Sequence, residues 1–438
     1  MNAQPLIELK AVGKAFQASD GTPRTVLEHV DLRLHEREIV ALLGRSGSGK
    51  STLLRIIAGL VGADHGEVNY RGRPIHGPVD GVAMVFQSFA LFPWLTVQQN
   101  VELGLEAQGV GPAERARLAD AALELIGLAG FGGALPRELS GGMRQRVGIA
   151  RALVMNPEVL LMDEAFSALD VLTGETLRDD MLELWEEHRI TTRSILVVSH
   201  NIEETVMMAD RILILASDPG RVRSELRIDL PRPRNADSAE VRALVDEVYA
   251  LMTQRPEAVA AAGAPPAVEL GYHLPDADVA RLESVLELLA GEPFNGHADL
   301  PHLAEETELP DDVLFPLCEA LGLLGLAQLV AGDLSLTRQG RNYVTARQAR
   351  RQDLFARQCR GRVALVGFIL ESLRADPAGS IAEKVVLDRL EESMDTEEAE
   401  RVFKVAIEWG RYAELYEYDF HTRRLSLAQE QAPAPHAP

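Results

Sequence analysis

Cysteine is almost missing from this chain. Its 438 residues include two, Cys318 and Cys359, not arranged as a Cys-x-x-Cys pair, which argues against a disulfide framework. Basic residues are also short: 44 Lys and Arg face 66 Asp and Glu, a formal net charge of -22. Such a chain has no general attraction to phosphate backbones or anionic lipid, so a nucleic-acid role would need a local basic patch. No stretch approaches ~18 uninterrupted apolar residues, the length that spans a bilayer. Met1 to Lys10 lacks an apolar run of the signal-peptide kind. The expectation is a cytoplasmic protein that, if it works at a membrane, is held there by another chain. A hydrophobic content of 46% with 25% charged residues is ordinary for a globular protein of two or three domains.

Residues 6–220 alternate short apolar runs of strand length with helical segments. Glu38–Leu43 ends in a glycine-rich loop and is followed by a helical Ser51–Leu60. Val82–Phe86, Val159–Met162, Ile195–Ser199 and Arg211–Leu215 are further strand candidates. This alternation implies an α/β domain with a mostly parallel sheet covered on both faces. Residues 88–157 lack such runs and read as an inserted helical subdomain. The Ala/Gly/Pro-rich stretch Ala258–Pro266 places a linker at 256–278, which makes 1–255 the first domain. Residues 279–430 form a second, mainly helical unit, and 431–438 a Pro/Ala tail expected to be disordered. Within the second unit, Leu303–Leu336 and Leu387–Leu427 repeat one pattern: helix, acidic turn, apolar helix, then a hairpin (Leu326–Val330 with Leu334–Thr337; Ala413–Tyr418 with Arg423–Leu427). Both resemble winged-helix arrangements.

Three strings carry chemistry. Gly44-Arg45-Ser46-Gly47-Ser48-Gly49-Lys50-Ser51-Thr52 follows a strand and opens a helix, the context of a P-loop. Its glycines let backbone N–H groups curl around phosphate oxygens at a helix N-terminus. Lys50 is placed to reach the β- and γ-phosphates, and the Ser51 hydroxyl to sit on Mg²⁺. Val159-Leu-Leu-Met-Asp163-Glu164 is an apolar strand ending in two carboxylates. After a P-loop it reads as a Walker B strand, with Asp163 on the metal and Glu164 polarising the attacking water. In Leu139-Ser140-Gly141-Gly142-Met143-Arg144-Gln145-Arg146, Ser140 and the amides of Gly141 and Gly142 precede a helix and can bind a γ-phosphate.

This last string resembles the signature of ABC ATPases, and the resemblance covers about residues 6–255. It implies a P-loop (RecA-like) ABC ATPase core that binds ATP and Mg²⁺. It also implies a homodimer in which one subunit's signature, Ser140, Gly141, Gly142 and Gln145, closes over ATP held by the other's P-loop. Other positions match in order: Phe16 as the aromatic that stacks on adenine, Gln87 as the glutamine touching Mg²⁺ and water, Ser167-Ala168-Leu169-Asp170 as the D-loop, and His200 as the switch histidine sensing the γ-phosphate. Departures are Asn201 and Ala165, where relatives usually carry Asp and Pro.

Ser88-Phe-Ala-Leu-Phe92-Pro93-Trp94-Leu95-Thr96-Val97, Asp218-Pro-Gly-Arg221 and Asp229-Leu-Pro-Arg-Pro-Arg234 resemble the nitrate/sulfonate/bicarbonate importers. Residues 279–430 resemble the AAA-associated C-terminal domain attached to some ATPases of that group. This implies an ATPase on the cytoplasmic face of the inner membrane, bound to integral-membrane permease subunits and acting indirectly with a solute-binding protein. Trp94 has two readings, an exposed socket for a permease helix or packing inside the helical subdomain. The arginines at 338, 341, 347, 350, 351, 357, 360 and 362 also have two: an anion or nucleic-acid face, or a solvated helix balanced by Glu391–Glu400. A soluble ABC ATPase acting on nucleic acid, and an anion-sensing second unit, are the rival functions. The acidic chain, without an aromatic stacking platform, speaks against nucleic acid.

Overall fold

A computed structural model describes residues 4–17, 23–45, 47–217, 219–253, 270, 272–330, 332–394 and 396–428. Ser46, Asp218, most of the 256–278 linker and the 431–438 tail lie outside the described residues. The chain divides near Val245 into two compact units, and no described helix is long and apolar enough to cross a membrane.

The first unit has two sheets. β1 (Ile7–Gln17), β2 (Pro23–Leu34), β4 (His65–Tyr70) and β5 (Arg73–Pro74) form one, ordered β2-β1-β4-β5. The alternation of strands and helices does not announce this sheet: β1 is followed directly by β2, and β1 pairs antiparallel with β4. The other sheet is ordered β10-β9-β3-β8-β7-β6. It comprises β3 (Ile39–Gly44), β6 (Val82–Val85), β7 (Val159–Asp163), β8 (Ser194–Val198), β9 (Arg211–Ala216) and β10 (Arg221–Arg227). All but β10 run parallel. Every residue of β3, β7 and β8 is buried, as expected where both faces of a parallel sheet are covered. Their register aligns Val40, Leu196, Leu161 and Met84 across four adjacent strands.

That strand order positions the site. The P-loop follows β3, His200 follows β8, Asp163 and Glu164 end β7, and Gln87 follows β6. All four loops leave the carboxyl ends of neighbouring strands, where open α/β sheets bind ligands. The helical insertion lies between β6 and β7: α2 (Val97–Ala107), α3 (Pro112–Leu125) and α4 (Gly141–Leu153). Two further helices flank the site, α1 (Lys50–Ile57) and α5 (Val171–Glu186), with α6 (Ile202–Met208) next to His200, and α7 (Ala239–Thr253) follows β10.

The second unit repeats one topology twice. The first copy is α8 (Val279–Ala290), β11 (His297–Asp299), α9 (Leu300–Thr307), α10 (Asp311–Leu323), β12 (Ala327–Val330) and β13 (Asp333–Leu336). After α11 (Arg338–Val344) and α12 (Gln348–Arg362), the second is α13 (Ala364–Ala375), β14 (Ser380–Ala382), α14 (Glu383–Leu390), α15 (Thr396–Tyr412), β15 (Tyr416–Asp419) and β16 (Arg424–Leu427). Each carries a three-stranded sheet, ordered β11-β13-β12 and β14-β16-β15, the winged-helix order of elements. The Tyr343 and Tyr412 hydroxyls lie 2.8 Å apart and share the Glu283 carboxylate, joining the repeats. Residues 272–278, assigned to the linker by composition, instead pack on this unit: Leu274 and Ala277 are buried, and Trp409 Nε1 donates to the Ala277 carbonyl at 2.8 Å.

Candidate active site

The P-loop backbone needs its glycines. Gly47 and Gly49 have φ of 77° and 89°, a left-handed region that side chains disfavour. A Cβ on Gly49 would also lie 2.7 Å from the Leu27 side chain. Lys50 is buried, its ammonium donating to the carbonyls of Gly44 at 2.6 Å and Arg45 at 2.9 Å. Ser51 Oγ donates to Asp163 Oδ1 at 2.9 Å, which brings two residues 112 positions apart into one oxygen-lined corner. Burial pushes the Asp163 carboxyl above its usual range; the Ser51 hydrogen bond and the charges of Arg55 and Lys50 oppose this. Thr52 follows within the first turn of α1.

Glu164 has φ of 47°, a strained backbone for a non-glycine residue of the kind stored at functional sites. Its N–H donates to the Val198 carbonyl at 3.0 Å, and the Ser167 hydroxyl donates to the Glu164 carbonyl at 2.8 Å. Its Oε2 receives the Gln87 amide Nε2 at 2.7 Å and lies 3.4 Å from His200 Nδ1. The neighbouring His200, with Lys50 and Ser167, holds the carboxyl below its usual range against the upward pull of burial. A base that stays ionised at neutral pH, beside a histidine and an amide, can orient and polarise a water.

Phe16, at the exposed end of β1, is 43% exposed, with Lys14 Nζ 5.3 Å from its ring centroid. That leaves a ring face available for stacking. Ser140 caps α4, its Oγ accepting from Met143 N at 3.3 Å. A Cβ on Gly142 would meet Thr173 Cγ2 at 2.5 Å, so α4 and α5 approach closely only because residue 142 is glycine. The hydrogen bonds of Ser140 and Arg144 stay within their own turn and do not reach the P-loop.

Gln145 departs from expectation. Its side chain is fully buried, and neither amide atom has a hydrogen-bond partner. Five positions beyond the Ser140 cap, the helical phase turns residue 145 inward rather than toward the exposed turn that would face a nucleotide.

Phe92 and Trp94 are exposed, Trp94 by 70%, with ring centroids 5.3 Å apart. This excludes packing of Trp94 inside the helical subdomain. Their turn is held by the buried Asn100, whose side chain bonds Phe92 N, Phe92 O, Leu95 O and Thr96 O. Arg151 donates to the Phe89 and Ala90 carbonyls, fixing the start of the same segment. Arg151 is not marked as functional by its local string; only tertiary contact shows its role.

Of the second unit's arginines, Arg351 pairs with Glu287 at 2.6 Å and lies 3.7 Å from Glu283. Glu392 and Glu398 are engaged by Arg389 and Arg401. The acids of α8, rather than Glu391–Glu400, therefore balance Arg351.

The strand order and the four converging loops define a P-loop nucleotide-hydrolysing fold. The family described as ABC transporter matches residues 27–167, and the C-terminal AAA-associated domain matches residues 301–419. The nitrate import ATP-binding protein NrtD of Synechocystis sp. is 44% identical over 51% of this chain and 83% of its own length. The taurine import ATP-binding protein TauB of Mesorhizobium japonicum is 48% identical over 46% and 78%. The aliphatic sulfonates import ATP-binding protein SsuB of Bacillus licheniformis is 44% identical over 52% and 86%. The ATP-binding cassette MJ0796, solved as a dimer in a post-hydrolysis state bound to ADP and Pi, aligns at TM-score 0.46 and 34% identity over 52% of this chain and 99% of its own. The chain belongs to the ATP-binding subunits of ABC transporters, and it is an ATPase.

Proposed function

We propose that this protein energises an importer for a small anion of the nitrate, sulfonate or bicarbonate class. The observation that carries the chemistry is the convergence of Gln87 and His200 on one oxygen of Glu164. Glu164 acts as the general base, Gln87 orients the water, and His200 senses the γ-phosphate. Gly44 through Thr52 hold the phosphates of ATP, and Phe16 stacks on adenine. Ser51, Asp163 and the amide oxygen of Gln87 form an oxygen donor set suited to Mg²⁺, which binds through a few protein oxygens plus substrate phosphates. The bound ion would neutralise phosphate charge.

Two copies would enclose two ATP, each signature turn of Ser140, Gly141 and Gly142 closing on the partner's nucleotide. The import reading is supported by the relatives above and by the exposed Phe92 and Trp94 on a clamped turn. Aromatic anchors of this kind favour interfaces, here with a permease on the cytoplasmic face of the membrane. The solute-binding protein would act only through that permease. Residues 1–255 serve as the ATPase domain and 279–430 as a regulatory or dimer-stabilising domain.

The winged-helix order does not favour a nucleic-acid reader. α10, the helix that would enter a groove, is buried along most of its length, and the exposed positions of α15 include Glu400 and Glu408 beside Lys404 and Arg411. The deciding experiment is affinity isolation of the intact protein from detergent-solubilised native membranes. Recovery of a polytopic permease is expected; recovery of soluble partners or nucleic acid alone would overturn the import reading.

A further inference from the structure

Phe89 and Ala90 follow Gln87 after a single residue, and their φ angles are 59° and 48°. Non-glycine residues visit the left-handed region singly and at a cost, so two in succession, one of them aromatic, need outside support. Ala90 N–H donates back to the Ser88 carbonyl at 2.5 Å. That closes a three-residue turn of the hand that is itself rare and strained.

The support comes from α4, the helix that begins at the signature turn. Arg151 Nη1 donates to the Ala90 carbonyl at 2.6 Å and Nη2 to the Phe89 carbonyl at 3.0 Å. Two successive acceptors thus meet the two arms of one planar guanidinium, a fixed fork that a lysine lacks. The Arg144 guanidinium carbon lies 5.3 Å from the Phe89 ring centroid, within reach of a cation–π contact. A Cβ on Gly148 would lie 3.5 Å from the Phe89 carbonyl oxygen. Positions 144, 148 and 151 share one face of a helix, so that face of α4 grips the turn. Downstream, Asn100 fixes Phe92, Leu95 and Thr96. Upstream, Gln87 is exposed, so packing does little to aim its side chain; the turn sets the direction from which its amide reaches Glu164 Oε2 at 2.7 Å.

We propose that Arg151 is a positioning residue for Gln87: by holding the Phe89 and Ala90 carbonyls, it keeps this left-handed pair from relaxing and so keeps the Gln87 amide on Glu164. The inference rests on the role given to Gln87. It assigns no contact between Arg151 and nucleotide. A purely structural role, joining the turn to α4, would lower the unfolding midpoint and leave turnover of the folded protein intact.

The test is steady-state MgATP hydrolysis by the full chain, comparing Arg151→Met, Arg151→Lys, Gln87→Ala and the Gln87→Ala/Arg151→Met double variant. Arg151→Met keeps the apolar stem and removes both donors. It should lower kcat about tenfold, with KM for ATP within about twofold, because a displaced group costs the chemical step more than binding. Arg151→Lys keeps the charge and can still donate to one of the two carbonyls, so it should stay within about threefold of the native rate. The double variant should be no slower than Gln87→Ala alone, since residues acting through one another are not additive. Additive losses in the double variant, a native kcat in Arg151→Met beside a slowed Gln87→Ala, or a loss in Arg151→Lys as large as in Arg151→Met would each overturn the proposal. An unchanged kcat in Gln87→Ala would overturn the role of Gln87 itself, and with it the reason for positioning.

Discussion

Gln87 and Glu164 stand 77 residues apart in the chain, yet the Gln87 amide donates to Glu164 Oε2 at 2.7 Å. That oxygen is also the one nearest His200, at 3.4 Å. One carboxylate oxygen thus gathers the loops that follow β6, β7 and β8. A base placed there needs a full negative charge to draw a proton from water.

Glu164→Gln keeps the shape and removes that charge. Turnover should fall by ~10²–10⁴, the usual contribution of a general base, while ATP affinity stays within about threefold because the P-loop contacts are untouched. Single-turnover hydrolysis combined with nucleotide titration checks both parts. Native turnover in the variant would remove Glu164 from the mechanism.

Gln145 offers a test of a different sort. Its amide is buried with no partner on either atom, and an unsatisfied buried polar group costs about 1–3 kcal/mol. Gln145→Leu should therefore raise the urea midpoint of the first unit and leave ATP turnover near native. If the residue instead reaches the partner's nucleotide, turnover falls while stability holds or rises.

That buried residue shows where sequence reading stops. The P-loop, the Walker B carboxylates and the signature are contiguous strings whose backbone geometry is local, so their residue types announce them. The hairpins of the second unit are equally local. Gln145 lies on the same string as Ser140, but helical phase decides its direction, and the inner face of α4 exists only after packing against its neighbours. The antiparallel sheet of β1, β2, β4 and β5 was hidden because strands in direct succession break the strand-helix rhythm. Residues 272–278 fall within the linker drawn around Ala258–Pro266; the partners that hold them include Trp409 and Glu398, both more than 120 residues away.

Acid should weaken a half-buried ion pair of the second unit. Burial pushes the Glu398 carboxyl up, but Arg401 at 2.6 Å and His273 at 2.7 Å overcome this and hold it well below the usual carboxylate range. Because the folded value is depressed, the stabilisation is present above the unfolded carboxylate pKa, about 4.3. It is lost as pH falls through the depressed folded value. Glu398→Gln should cost stability at pH 7 and show a flatter decline on acidification. Denaturant midpoints from pH 7 down to about 3, spanning the unfolded carboxylate pKa, measure the difference. Parallel declines in the two proteins would mean that the pair contributes nothing.

Trp94 separates coupling from hydrolysis. It is 70% exposed on a turn whose shape is set by Asn100 rather than by the indole. Trp94→Ala should change folding stability by no more than about 0.5 kcal/mol, as for other surface substitutions. If the Phe92–Trp94 pair is the permease anchor, removing a central aromatic should weaken the complex by about 2 kcal/mol or more. That is roughly a thirtyfold fall in affinity, seen as loss of co-purifying permease and of transport-coupled turnover. Asn100→Ala should give the same uncoupling by a different route, because it leaves both aromatics in place but releases their turn. It should also lower stability, since four hydrogen bonds to buried or half-buried backbone groups are lost together. If both variants hold the permease as tightly as the native protein, the socket lies elsewhere on the helical subdomain.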